Sequence, residues 1–191
     1  MSCLRRPLVL LVVLLCSGGL AACGVHHDKS APIQHIESEG FYLSLGDLKY
    51  QVQISRQLNP DDIQDRAFLN GVNPSERELG ENEVWFGVFI QVENEADRPL
   101  RPSGEIEITD TQDEVFAPLA LTEANAFAYR STEAIPPGEI LPLPDTPAYD
   151  TAIRGSLLLF KLTLESLDNR PLELKIESST TRQTGIIDLD V

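Results

Sequence analysis

Glu83-Val84-Trp85-Phe86-Gly87-Val88-Phe89-Ile90-Gln91-Val92-Glu93 is the stretch that decides the fold. Val84, Phe86, Val88, Ile90 and Val92 alternate with Trp85, Gly87, Phe89 and Gln91, the period of two that sends neighbouring side chains to opposite faces of a strand. Apolar residues fall on both faces, as in a central strand covered on two sides. Upstream, Asp47 to Leu58 sets Leu48, Tyr50, Val52 and Ile54 against Lys49, Gln51, Gln53 and Ser55, a half-buried strand, and Phe41, Leu43 and Leu45 make a short strand before it, broken at Gly46. Downstream, Ile106 and Ile108 point inward. The polar run Asp110 to Glu114 is a hairpin tip before Val115-Phe116. Gly155 to Glu165 carries Leu158, Phe160, Leu162 and Leu164 on one face. Leu172, Leu174 and Ile176 alternate in the next strand, and Ile186-Ile187 makes a short edge strand or a loose tail.

The connections are uneven. Asn59 to Asn82 is long and rich in turn signals, with Phe68, Leu69 and Val72 able to pin its middle to the core. A connection of that length is unusual in a compact domain. Leu119 to Glu133 reads as a short helix or an irregular crossover, and Pro142, Pro144 and Pro147 exclude a central strand where they stand. Short strands without a long amphipathic helix predict an all-β fold, an antiparallel β-sandwich, with a Greek-key barrel as the alternative.

The N-terminus is of another kind. Arg5 and Arg6 precede the apolar run Leu8 to Cys16, Ser17-Gly18-Gly19 breaks it, and Leu20-Ala21-Ala22 leads to Cys23. This is the order of a secretory signal peptide, and the run falls short of the ~20 residues of a membrane span. Leu20-Ala21-Ala22-Cys23 resembles the lipobox of bacterial lipoproteins. That resemblance implies removal of residues 1–22 and attachment of lipid at Cys23, which holds the chain to the extracytoplasmic face of a cell membrane. An ordinary signal peptide with an incidental cysteine is the plainer alternative. Of the three cysteines, Cys3 and Cys16 leave with the leader. An acylated Cys23 then leaves no thiol for a disulfide, a zinc site or a nucleophile. Residues 23–39 read as the lipidated cysteine and a flexible tether, 40–178 as the sandwich, and 179–191 as a tail or edge strand.

The whole chain carries 15 basic and 30 acidic residues, net −15; without Arg5 and Arg6 the balance is 13 against 30, or −17. Such a surface repels nucleic acid, so no nucleic-acid partner is expected. It suits a cationic partner or loosely held divalent ions.

Few residues suggest chemistry. Phosphate loops, a nucleophile elbow and a His-Glu-x-x-His helix are absent from the sequence. Asp61, Asp62 and Asp65 gather carboxylates but lack the Gly and terminal Glu of a calcium loop, so they are weak candidates for calcium. His26, His27 and His35 all fall in the expected tether, without a scaffold for a metal cage. A Ser-His-Asp triad is excluded with no histidine expected in the domain. Trp85, in the most apolar strand, belongs to the core. Phe127, Tyr129 and Tyr149 fall in expected loops and are the candidates for an exposed recognition surface, with packing of loop onto sandwich the competing reading.

Several segments together resemble one family: Val84 to Asn94 followed by Asp97-Arg98-Pro99-Leu100, Ile106-Glu107-Ile108-Thr109-Asp110, Ile135-Pro136-Pro137-Gly138-Glu139, and Arg154-Gly155-Ser156-Leu157-Leu158-Leu159-Phe160. The order is similar to the immunoglobulin-like (telokin-like) domain of the secreted immunoprotective-antigen family, found on bacterial lipoproteins and of unknown function. The resemblance implies an immunoglobulin-like sandwich over about residues 40–178 and brings no catalytic residues. The reading is a lipid-anchored, non-enzymatic module without a cofactor, which binds a cell-envelope or surface protein through its loops. The alternatives are a module responsive to divalent cations through its acidic surface, and an envelope hydrolase using a carboxylate pair.

Overall fold

The computed structural model describes residues 33–190. The signal peptide, Cys23, His26 and His27 lie outside the described residues. Among the described residues ten strands form two sheets: β1 (Ile33–Ile36), β2 (Leu43–Leu45), β3 (Leu48–Leu58), β4 (Glu83–Asn94), β5 (Ile106–Thr109), β6 (Val115–Phe116), β7 (Ile140–Leu141), β8 (Ser156–Thr163), β9 (Leu172–Glu177) and β10 (Thr184–Leu189). The first sheet runs β1-β10-β9-β5-β6. The second runs β2-β3-β4, and the far edge of β4 pairs with β8 along Glu83 to Ile90 and with β7 at Val92 and Glu93. All strand pairs are antiparallel except β1 with β10. The fold is a β-sandwich, as the alternation predicts, and not a closed barrel.

The main core lies between the sheets. Val84, Phe86, Val88, Ile90 and Val92 of β4 meet Leu158, Phe160 and Leu162 of β8. Leu172, Leu174 and Ile176 of β9 and Ile187 of β10 meet them from the first sheet. Each such side chain contributes about 1.5–3 kcal/mol on leaving water. The other face of β4 builds a second apolar cluster: Trp85 and Phe89 pack with Leu157 and Leu159 of β8, Leu58 of β3, and Phe68 and Val72 from the long connection. The expectation that Phe68 and Val72 pin that connection holds.

One irregularity reverses a face. Between Val52 and Ile54 the pairing of β3 with β4 slips by one residue. A bulge of this kind turns the following side chains to the opposite face. Val52 opposes Ile90 in the main core, whereas Ile54 opposes Phe89 on the outer side. Ile54, expected beside Val52, is 36% exposed, and Ser55 is buried in its place. The same reversal delivers Leu58 to the second cluster.

Other expectations are corrected. Ile33–Ile36, assigned to the tether, is strand β1, so His35 belongs to the folded unit. Thr184–Leu189 is neither tail nor edge: β10 lies between β1 and β9. Both strands lie outside the expected domain limits of 40–178. Within the long connection Ile63–Phe68 forms helix α1, capped by Asp62, whose side chain accepts from the Gln64 and Asp65 amides. Leu164, expected on a strand face, opens helix α2 (Leu164–Asp168) and is exposed. Residues 119–133 are irregular, without a helix.

Buried polar side chains lock the turns. Asn94 ends β4 fully buried. Its amide donates to the carbonyls of Arg98 and Ile135 at 2.8 Å, and its Oδ1 accepts from the Ala96 amide at 3.0 Å. The Tyr50 hydroxyl accepts from the Ser103 amide at 2.9 Å, and burial pushes its pKa up to about 12. Among the described residues no buried side-chain polar atom lacks a partner.

Gly155, just before β8, is required by close approach. A Cβ there would lie 2.8 Å from Phe89 Cβ and 3.0 Å from the Phe89 carbonyl carbon. Gly155→Ala therefore forces β8 away from β4 and should cost about 2 kcal/mol, as overpacking does. Equilibrium denaturation should show a lower midpoint with an unchanged slope.

Candidate functional site

The outer face of the second sheet is roofed by three segments: the connection carrying α1, residues 119–131, and residues 148–153. The first two are laced together. Asn125, buried, donates from its amide to the Phe68 carbonyl at 2.8 Å and the Asn70 carbonyl at 2.7 Å, and its Oδ1 accepts from the Phe127 amide at 2.9 Å. The Thr122 amide donates to the Gly71 carbonyl at 2.9 Å. Gly71 has φ +76°, and a Cβ on it would meet the Asn125 amide nitrogen at 2.9 Å. Arg130 closes the second segment on itself, donating to the carbonyls of Leu121 at 2.7 Å and Thr122 at 2.8 Å.

A cleft of about 380 Å³ opens where the segments meet. Ala67, Phe68, Phe127 and Ile153 give it an apolar floor, and Arg56, Gln64, Thr151 and Ala152 form its rim. The volume falls in the range of small-ligand sites. Phe68 meets the rings of Phe89 at 4.9 Å and Phe127 at 5.0 Å, both edge to face, so the floor is held rigidly to β4. The Arg56 guanidinium grips Asp65 through two hydrogen bonds, and Asp65 also accepts from the Asn59 amide at 2.8 Å. The Arg56 hydrogen bonds hold the Asp65 carboxyl below its ordinary pKa against the opposing effect of burial. The rim charge is thus compensated, and the cleft favours an apolar group over an ion.

The expected recognition aromatics all lie partly buried. Phe127 lies in the cleft floor. Tyr129 packs on the main core with its hydroxyl donating to the Ser103 carbonyl at 2.8 Å, and burial raises its pKa well above the usual phenol value. Tyr149 is half-buried beneath the Arg154 guanidinium, 5.4 Å from the ring centre. None of the three is an exposed anchor, because a loop lying on a sheet uses its aromatics downward. Trp85 is core, with Lys161 Nζ 5.3 Å above its ring.

The expected calcium acids do not converge. Asp62 caps α1, Asp65 holds Arg56, and Asp61 is exposed. The carboxylates that do converge were hidden from the sequence. His35 of β1, Asp188 of β10 and Glu173 of β9 stand side by side on the outer face of the first sheet, with ligand atoms all within 4.8 Å of one another. His35 Nε2 lies 2.6 Å from Asp188 Oδ1, and this contact raises the histidine pKa, with Glu173 and Glu37 adding to it. A groove on the same face carries Glu105, Glu107 and Glu177. Lys175 bridges two of these, at 2.8 Å to Glu107 and 3.5 Å to Glu177, so they do not form a free acid pair.

No protein-family model matches the chain, and no curated protein matches it. Solved structures similar to it include an uncharacterised β-sandwich protein from Clostridium difficile, at 10% identity over 84% of this chain and 96% of that one, with a TM-score of 0.48. The yjhA protein from Bacillus subtilis is 9% identical over 81% of this chain and all of its own, with a TM-score of 0.49. A conserved hypothetical protein from Bacillus anthracis is 11% identical over 73% and 89%, with a TM-score of 0.45. Among the described residues no helix is long and apolar enough to cross a membrane.

The Arg56–Asp65 pair gives the site a defined pH response. A carboxyl whose folded pKa is depressed stabilises the fold above its unfolded pKa, near 3.9, and loses that contribution as pH falls through the lower folded value. Asp65→Asn should cost about 2 kcal/mol at pH 7, the scale of a lost charged hydrogen bond. The difference from the parent chain should shrink as pH falls below the unfolded value and through the lower folded one. Denaturation at stepped pH measures it.

Proposed function

We propose that the chain is a membrane-anchored extracytoplasmic lipoprotein whose sandwich is a non-catalytic binding module, related to the immunoglobulin-like domains of the secreted immunoprotective-antigen type. The observation that carries the binding role is the rigid apolar cleft between α1 and residues 127 and 151–153. A preformed depression with a compensated charge at its rim suits an apolar side chain of an envelope or surface protein. The sequence Leu20-Ala21-Ala22-Cys23 supports attachment through lipid on Cys23. Two or more acyl chains hold a protein stably at a bilayer where one does not.

The roof segments cannot be deleted to test this, because removing them bares Trp85 and Phe89. Point probes are suitable. A photo-crosslinking residue at Gln64 or Ala152, both exposed on the rim, should yield a discrete adduct in intact cells, and the same residue at Glu107 on the opposite sheet should not. Identical adducts from both sheets would remove the cleft from consideration. Cys23→Ser should abolish incorporation of a fatty-acid probe and release the chain from the membrane fraction. Continued labelling would refute the anchor.

A further inference from the structure

The first sheet presents a second site, independent of the cleft. Parallel pairing of β1 with β10 sets His35 opposite Ile186, and Asp188 follows two residues on, on the same face. Antiparallel pairing of β10 with β9 sets Glu173 directly opposite Asp188. One imidazole and two carboxylates therefore project from three adjacent hydrogen-bonded strands, a framework that fixes their backbones. Their ligand atoms lie within 4.8 Å of one another. Ligand bonds to a small divalent ion are about 2.0–2.2 Å, so side-chain rotation alone brings the three atoms around one centre. The side chains are reachable from solvent: His35 is 45% exposed and Asp188 19%.

The charge of this patch is unbalanced. Lys175, the nearest cation along the same strand face, is engaged by Glu107 and Glu177. Asp188 is paired with His35, an ion pair only when the imidazole is protonated. Glu37, one residue beyond β1, adds a further negative charge beside His35. Two fixed carboxylates and a neutral imidazole make a dianionic donor set with room for solvent on the outward side.

We infer that His35, Glu173 and Asp188 form a binding site for a divalent transition ion of the zinc class. The imidazole selects such ions over calcium and magnesium, which take oxygen donors. Three protein ligands with an outward position left for water is the arrangement of an open zinc site. The ion cross-links β1, β10 and β9, and so clamps to the sheet the strand by which the domain joins the chain that leads to Cys23.

The test is calorimetric titration of zinc chloride into the full chain in detergent at pH 7.5, without a polyhistidine tag. Equimolar, saturable binding is expected, together with a rise in melting temperature and slower amide exchange at residues 33–36. His35→Ala and the conservative Glu173→Gln should each weaken zinc by about tenfold or more, with metal-free melting of Glu173→Gln close to the parent. His26→Gln/His27→Gln, which removes the other two histidines, should leave the equimolar site intact. The proposal fails if zinc does not bind or if His35→Ala binds like the parent. It also fails if the His26/His27 variant loses the site, or if calcium binds as tightly as zinc and with equal indifference to His35. Cross-linking at the cleft is unaffected by any of these outcomes.

Discussion

The burial of β4 on both faces is the constraint on which the rest of the molecule depends. A strand with apolar side chains on one face needs one partner layer; β4 needs two. The facing sheet covers Phe86, Val88 and Ile90. Nothing in the sandwich itself covers Trp85 and Phe89, and water would be left against two of the largest apolar surfaces in the chain. The connection carrying α1 and the segment after β6 are therefore not appendages to the sandwich. They are its third layer, and their length follows from the area they have to roof. The cleft lies where α1 and Phe127 adjoin the third roofing segment at Ile153.

Polar groups decide how closely the roof fits. Irregular segments laid on a sheet bring unpaired backbone carbonyls toward the core, and each one buried without a partner costs more than a hydrogen bond returns. Asn125 serves two carbonyls and one amide, from two segments, at once. Asn94 does the same where β4 leaves the sheet. A side chain with two donors and an acceptor is suited to this work. An aliphatic residue of similar size leaves the same carbonyls dry and unpaired. The role of each asparagine is hidden from the sequence, since Asn94 reaches Ile135 and Asn125 reaches Phe68 and Asn70 across tens of residues.

The strands were legible because period two is a local property of a chain with one face in a core. Val84 to Val92, Leu172 to Ile176 and Ile106 to Ile108 carry it openly. The misreadings have physical causes of their own. The bulge at Gln53 has no local mark, so Ile54 reads as a continuation of Leu48, Tyr50 and Val52 although its face has turned. Strand β1, Ile33-Gln34-His35-Ile36, is too short and too polar to announce itself, and it exists because β10 offers it a parallel edge. His35 was assigned to a tether for the same reason. Its neighbours Glu173 and Asp188 are about 140 and 150 residues away along the chain, and register alone brings them together. The cleft was half legible: Phe68 and Phe127 were both marked, the first as an anchor and the second as an exposed aromatic, yet both turn inward.

The two outer faces of the sandwich have opposite characters, and this follows from which strand sits at each centre. The second sheet is centred on β4, whose outer side chains are apolar, so it had to be roofed and its surface chemistry is that of its cover. The first sheet is centred on β9, where Glu173 and Lys175 alternate with Leu172, Leu174 and Ile176, so its outer face is stable bare. A bare sheet face holds charged side chains at the fixed spacing of the strands, about 4.8 Å between neighbours. That spacing places unlike charges in contact, as at Lys175 and Glu107, or like charges in need of a cation, as at Glu173 and Asp188. The face least covered by the fold is thus the one with the most defined electrostatic geometry.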